Sequence, residues 1–168
     1  MPVDSARCSA GEVASITTDT RRRIDAILDE NHVMSIGANR ADGWPQVTQV
    51  NYLHHGAALY FVVARDSQKL ANIQRDGRVS IALGGGDGRF RECGLSMSAW
   101  AAEVVDVERI AQLNTLLWST SAGSTFRPHP AGVSVAVMEA RPQIVCLIDY
   151  SEPPGRRETV AMATEPAP

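Results

Sequence analysis

Residues 42–83 read DGWPQVTQVNYLHHGAALYFVVARDSQKLANIQRDGRVSIAL, and the punctuation of this stretch decides the fold. Asp42-Gly43 tolerates positive φ, so it closes a hairpin between a strand at Val33 to Ala38 and one from Gln46 to about His54. His55-Gly56 turns the chain again into Leu59 to Ala64. Ser67 to Arg75 has the length and spacing of a short helix. Val79, Ile81 and Leu83 then alternate with Ser80 and Ala82, the period of a half-buried strand.

Working outward, Thr17 or Thr18 caps a helix in which Ile24, Ile27 and Leu28 recur at helical spacing, ending near Asn31. A strand through Leu95 to Val105 meets Asp106, a helix cap followed by Val107, Ile110, Leu113 and Leu117 on one face. Two last strands are expected at Val133 to Met138 and Ile144 to Ile148. Many short hairpin-linked antiparallel strands with a few irregularly placed helices predict a mainly β protein, a closed or partly closed β-barrel rather than a parallel sheet. The domain is expected over 17–150, between mobile tails at 1–16 and 151–168 that are rich in small, polar and proline residues.

At 168 residues the chain has room for one core, burying roughly 70% of the surface of its unfolded form. Net charge is −3 and the basic residues are spread along the chain, so the basic stripe of a nucleic-acid binder is absent. Cys8, Cys93 and Cys146 lie far apart, with neither a disulfide framework nor zinc-ligand spacing. Such thiols suit a reducing cytoplasm. Residues 1–12 do not read as a secretory leader, and no apolar run approaches the ~18 residues of a membrane span.

Two strands, Leu59 to Ala64 and Ile144 to Ile148, are apolar on both faces, so their outer faces need cover from a helix, a second subunit or a flat ligand. A homodimer is the expected solution, because a two-fold interface lets one sheet face cover its own copy. Lys69 is the one lysine among sixteen basic residues, and it falls at the start of a short helix beside two strand ends. That is where a fold holds a phosphate. On the strand before it, Gln49 and Asn51 share one side, and Val50 and Tyr52 the other.

Several sites of other kinds are weaker. Gly84-Gly85-Gly86-Asp87-Gly88 has the composition of a phosphate loop, but no helix with Lys-Ser or Lys-Thr follows, so a hairpin connection is expected. His54 and His55 are adjacent on a strand and point to opposite faces, which excludes a shared metal. Trp100 and Trp118 are assigned to the core.

Gly43 and Pro45, Val47-Thr48-Gln49-Val50, Leu59-Tyr60-Phe61, Ser67-Gln68-Lys69 and Gly77-Arg78-Val79-Ser80 together resemble the pyridoxamine-5'-phosphate-oxidase-like, FMN-binding split barrels. The resemblance runs from about Ile24 to Tyr150 and is nearest the branch containing general stress flavoproteins. It implies that Val47, Thr48, Gln49, Val50 and Asn51 line the isoalloxazine and ribityl chain of FMN. Val62 and Val63 would come from the adjoining strand, and Ser67, Gln68 and Lys69 would hold the phosphate. It further implies an antiparallel split β-barrel of Greek-key type with a few flanking helices, a homodimer with the flavin at the interface, and an FMN-dependent oxidoreductase acting on a small molecule. The alternatives are a flavin carrier or redox sensor without turnover, or a relative using deazaflavin or haem. The Arg-x-His substrate motif of the true oxidase is missing after the last strand, since Tyr150 leads into Ser151-Glu152-Pro153-Pro154. Arg127-Pro128-His129 has the letters but precedes those strands. Oxidation of pyridoxamine phosphate is therefore not expected.

Overall fold

A computed structural model describes residues 14–84, 92–120, 134–151 and 155–162. The glycine run after Gly84, Cys8, the side chain of Trp118 and the Arg127-Pro128-His129 triplet lie outside them. In chain order the elements are β1 (Ala14–Ser15), α1 (Thr18–Glu30), β2 (Val33–Asn39), β3 (Pro45–His55) and β4 (Ala58–Ala64). There follow α2 (Gln68–Arg75), β5 (Arg78–Gly84), β6 (Cys93–Glu103), α3 (Val107–Thr120), β7 (Val135–Asp149) and β8 (Arg156–Ala161).

Local chemistry accounts for the boundaries. Thr17 caps α1, its hydroxyl oxygen accepting from Thr20 N–H at 3.1 Å, and Asn31 closes the other end by donating to Ile27 O at 2.7 Å. The Arg40–Trp44 turn has Gly43 at φ +86°, with the Asp42 carboxylate accepting from Arg40 and from Trp44 N–H. Gly56, at φ +61°, supplies the second turn. Asp106 caps α3, accepting from the amides of Glu108 and Arg109.

β2, β3 and β4 form an antiparallel meander, and β5 returns through α2 to lie beside β2. That gives the spatial order β5-β2-β3-β4, a Greek key. β6 pairs with β5, and β7 pairs with both β6 and β4, closing a six-stranded barrel. Alternation fills its interior: Met34, Ile36, Phe61, Ile81, Leu95, Met138 and Leu147 point inward and are almost fully buried. Each such side chain contributes ~1.5–3 kcal/mol of transfer free energy. Ile24, Ile27 and Leu28 of α1 join the same core.

Three expectations change. The two last strands are one 15-residue strand, because the β6–β7 register shifts between Ser98/Ile144 and Ala99/Pro142. Gln143 is the extra residue of a bulge, which lets Pro142 sit inside a strand without breaking the ladder and restores inward packing at Val145 and Leu147. The segment expected as a C-terminal tail contains β8, which pairs with the second half of β7 and carries β1 in parallel. Its Val160 is fully buried, and the Thr20 hydroxyl donates to Glu158. Trp100, assigned to the core, is 46% exposed because it takes an outward position on β6.

Candidate functional site

β3 and β4 are paired only from Tyr52/Phe61 to His55/Ala58. Before Tyr52, β3 is held by β2 alone, and beyond Phe61, β4 is held by β7 alone. The two strands therefore diverge into a wedge. Main-chain groups alternate between the two edges of a strand. Tyr52 N–H donates to His32 O on the β2 side, so the amide and carbonyl groups of Val47, Gln49 and Asn51 face the wedge. Arg65 N–H donates to Ser134 O on the β7 side, so Val62 presents its own groups from the opposite wall.

The wide end carries α2. Ser67 caps the helix, accepting from Leu70 N–H at 3.2 Å. Asn72, 1% exposed, crosses to β3: its amide donates to Gln46 Oε1 at 2.9 Å and accepts from Gln68 Nε2 at 3.0 Å. Lys69 lies in the first turn, half-buried, and no carboxylate lies within ion-pair distance of it among the described residues. Burial lowers its pKa from the ordinary lysine value. The neighbouring arginines are committed elsewhere: Arg65 pairs with Glu103 at 2.6 Å and Arg78 with Asp76 at 2.8 Å. Thr48 Oγ1 is buried without a hydrogen-bond partner. Buried hydroxyls are rarely left so.

The residues singled out from sequence divide between two faces. Thr48, Val50 and Val63 point into the barrel, while Val47, Gln49, Asn51 and Val62 point out. Ser67, Gln68 and Lys69 come together at the wide end, but Gln68 is turned toward Asn72. Gln46 and Asn72 are additions to the set. Spacing does not reveal them, because a buried helix asparagine reads as an ordinary solvated one.

The outer face beside the wedge carries a row with small side chains at its centre and branched apolar ones at its ends. Strand register aligns Val47, Gly37, Ser80, Ser98 and Ile144 in one row across five strands, with Val47 65% and Ile144 41% exposed. The outer face of β4 is covered differently. Tyr60 lies 3% exposed beneath α3, donating to Glu139 Oε1 at 2.6 Å and accepting from Arg109 at 2.8 Å. A narrow crevice between α3 and this face is lined by Leu53, Val62, Leu113 and Val137. His54 bonds Asp29 on the α1 side and His55 lies against Arg109, so the two rings do point apart.

A family model described as pyridoxamine 5'-phosphate oxidase matches residues 20–147. The chain belongs to the pyridoxamine 5'-phosphate oxidase family. No curated protein sequence matches it. Among solved structures it is similar to a Clostridium acetobutylicum protein related to general stress protein 26 of the pyridoxinephosphate oxidase family. That likeness has a TM-score of 0.65 at 10% identity and covers 88% of this chain and 97% of that one. A haem-binding protein from Mycobacterium smegmatis matches with TM-score 0.65 and 18% identity, over 89% of this chain and 60% of that one. An F420 reductase matches with TM-score 0.57 and 20% identity, over 72% of this chain and 94% of that one. At these identities the likenesses establish the fold. Val47-Thr48-Gln49-Val50, Leu59-Tyr60-Phe61 and Ser67-Gln68-Lys69 fall on β3, on β4 and at the start of α2, around the β3–β4 wedge. No helix among the described residues is long and apolar enough to cross a membrane.

Proposed function

We propose that the chain binds FMN in the β3–β4 wedge and works as a homodimeric oxidoreductase on a small molecule, inside the cytoplasm. The observation that carries this reading is Lys69, a half-buried ammonium without a counter-anion among the described residues, at the N-terminal end of α2. Desolvating a cation without pairing it is unfavourable. An anionic ligand removes that penalty, and helix N-terminal amides favour the same charge. The polar atoms left over fit the group: the main-chain edges of Val47, Gln49, Asn51 and Val62 offer donors and acceptors to a flat heterocycle.

Each group has a defined task. Lys69 and the Ser67 hydroxyl bind the phosphate, and Gln49 with the β3 amides orients the polar edge of the ring. The row Val47, Gly37, Ser80, Ser98 and Ile144 takes the second copy, which excludes water from the ring. When bound, FMN supplies electron transfer between a reductant and the small molecule. A flavin carrier uses the same contacts without turnover.

The absorption spectrum of the purified protein, followed by titration of cofactor-free protein with FMN, deazaflavin and haem, tests the reading. Saturable FMN binding with reduction of the bound flavin by a nicotinamide under anaerobic conditions is the expected result. Binding without reduction identifies a carrier. A Soret band with no flavin affinity replaces FMN by haem.

A further inference from the structure

We propose that Asn72, which is buried from solvent, is the positioning residue that sets the anion-binding corner, acting through Gln68 and Gln46; this rests on the reading of the wedge as a phosphate-bearing cofactor site. Asn72 is one of two buried polar residues among those described, the other being Thr20. Its helix neighbours on the buried side, Leu70 and Ile73, are apolar, and a leucine there would extend the core. Leucine also has the better helix propensity. An amide kept in such a place needs its hydrogen bonds to be satisfied, and they run to two different elements.

The geometry gives those two bonds distinct effects. The bond to Gln46 ties α2 to the start of β3, where no strand lies across that edge, and so fixes how far the wedge opens. The bond from Gln68 holds the first helical turn, the turn that contains Lys69 and follows the Ser67 cap. Gln46 is also the inward neighbour of Thr48 on β3, two residues away on the same face. The Gln68–Asn72–Gln46 chain thus links the helical turn that carries Lys69 to the start of β3. Its loss leaves the same ligand groups on the chain but lets them drift apart, and ångström-scale looseness in such a shell weakens binding.

The test uses the full chain with Asn72→Leu and, separately, Gln68→Ala. Three quantities are measured: the thermal midpoint, amide hydrogen exchange across 66–76 in cofactor-free protein, and FMN affinity by fluorescence titration. Asn72→Leu should keep or raise the midpoint, speed exchange at 67–70, and weaken FMN binding by about tenfold, the scale of one or two hydrogen bonds. Gln68→Ala should speed exchange at the same amides with the midpoint unchanged. A lowered midpoint with unchanged FMN affinity would make Asn72 simple structural glue and overturn the proposal. Unchanged exchange at 67–70 in both variants overturns it as well. If the wild-type chain binds no FMN, the reading of the cofactor fails, and the exchange measurement alone decides whether Asn72 holds the corner.

Discussion

Arg109 donates a 2.8 Å hydrogen bond to the hydroxyl of Tyr60 while its guanidinium lies 5.3 Å from the centre of the same ring. One side chain of α3 thereby grips both the polar tip and the apolar body of a β4 residue. The hydroxyl passes its proton toward Glu139 at 2.6 Å, and Arg141 donates to the other oxygen of that carboxylate at 2.8 Å. Tyr60→Phe keeps the ring contact and deletes both hydroxyl bonds. It should cost about 1–3 kcal/mol, since it leaves a partly buried carboxylate oxygen short of a donor. Urea denaturation measures the loss, and a change below about 0.5 kcal/mol would mean that water replaces the hydroxyl.

Lys69→Ala should weaken FMN binding by ~1.5–3 kcal/mol, about ten- to a hundredfold. The same position makes a second, opposite prediction. Burial lowers the Lys69 pKa, so the unfolded chain holds its proton more firmly than the folded one, and the cofactor-free fold gains stability as pH rises toward the lysine range. Lys69→Met should therefore raise the thermal midpoint of cofactor-free protein while abolishing the phosphate contact. Differential scanning calorimetry with and without FMN separates the two effects.

Asp149 joins β7 to α1 through a 2.5 Å bond from Arg23. Its carboxyl is held down to about 2, first by the Ser151 hydroxyl and amide and then by Cys93 and Arg23. A depressed carboxyl stabilises the fold above the unfolded value of ~3.9 and loses that contribution as pH falls toward about 2. Asp149→Asn should cost about 1 kcal/mol at neutral pH and flatten the stability profile in that acid window. Thermal midpoints measured across the window check it.

Gly77 is fixed by its neighbours rather than by φ. A methyl group there would lie 2.8 Å from Ala101 O and 3.2 Å from Trp100 Cε3, and Ala101 N–H already bonds Gly77 O at 2.7 Å. Gly77→Ala should destabilise by about 1–3 kcal/mol through forced backbone movement, read from urea denaturation.

Ile144→Asp places a charge at the β7 end of the Val47–Ile144 row. At 41% exposure the isolated subunit should tolerate it, within about 0.5 kcal/mol. Light scattering should show the wild type as a dimer and the variant as a monomer. A dimeric variant removes this face from the interface.

Much of the barrel is legible in sequence because its strands alternate plainly and its turns carry Asp-Gly and His-Gly. Val79, Ile81 and Leu83 announce their face, as do Ile24, Ile27 and Leu28. The failures have local causes. Arg141-Pro142-Gln143 resembles a break, yet a bulge absorbs the proline. Arg156 to Ala161 is too polar to read as a strand, and it becomes one because β7 offers it a free edge and Val160 a buried place. Apolar composition alone did not reveal that α3, rather than a partner, covers Tyr60. At the site, the Ser67-Gln68-Lys69 corner is visible as a motif, whereas Asn72 is legible only once the helix has a direction.

The crossover from β4 to β5 has a consequence for assembly. It is the span that carries the chain from β4 past β3 to the far side of β2, completing the Greek key, and α2 is most of it. On the proposed reading an occupant gripping Lys69 is also a rivet on this crossover, so losing the ligand would loosen the link from β4 to β5 as well as empty a binding crevice.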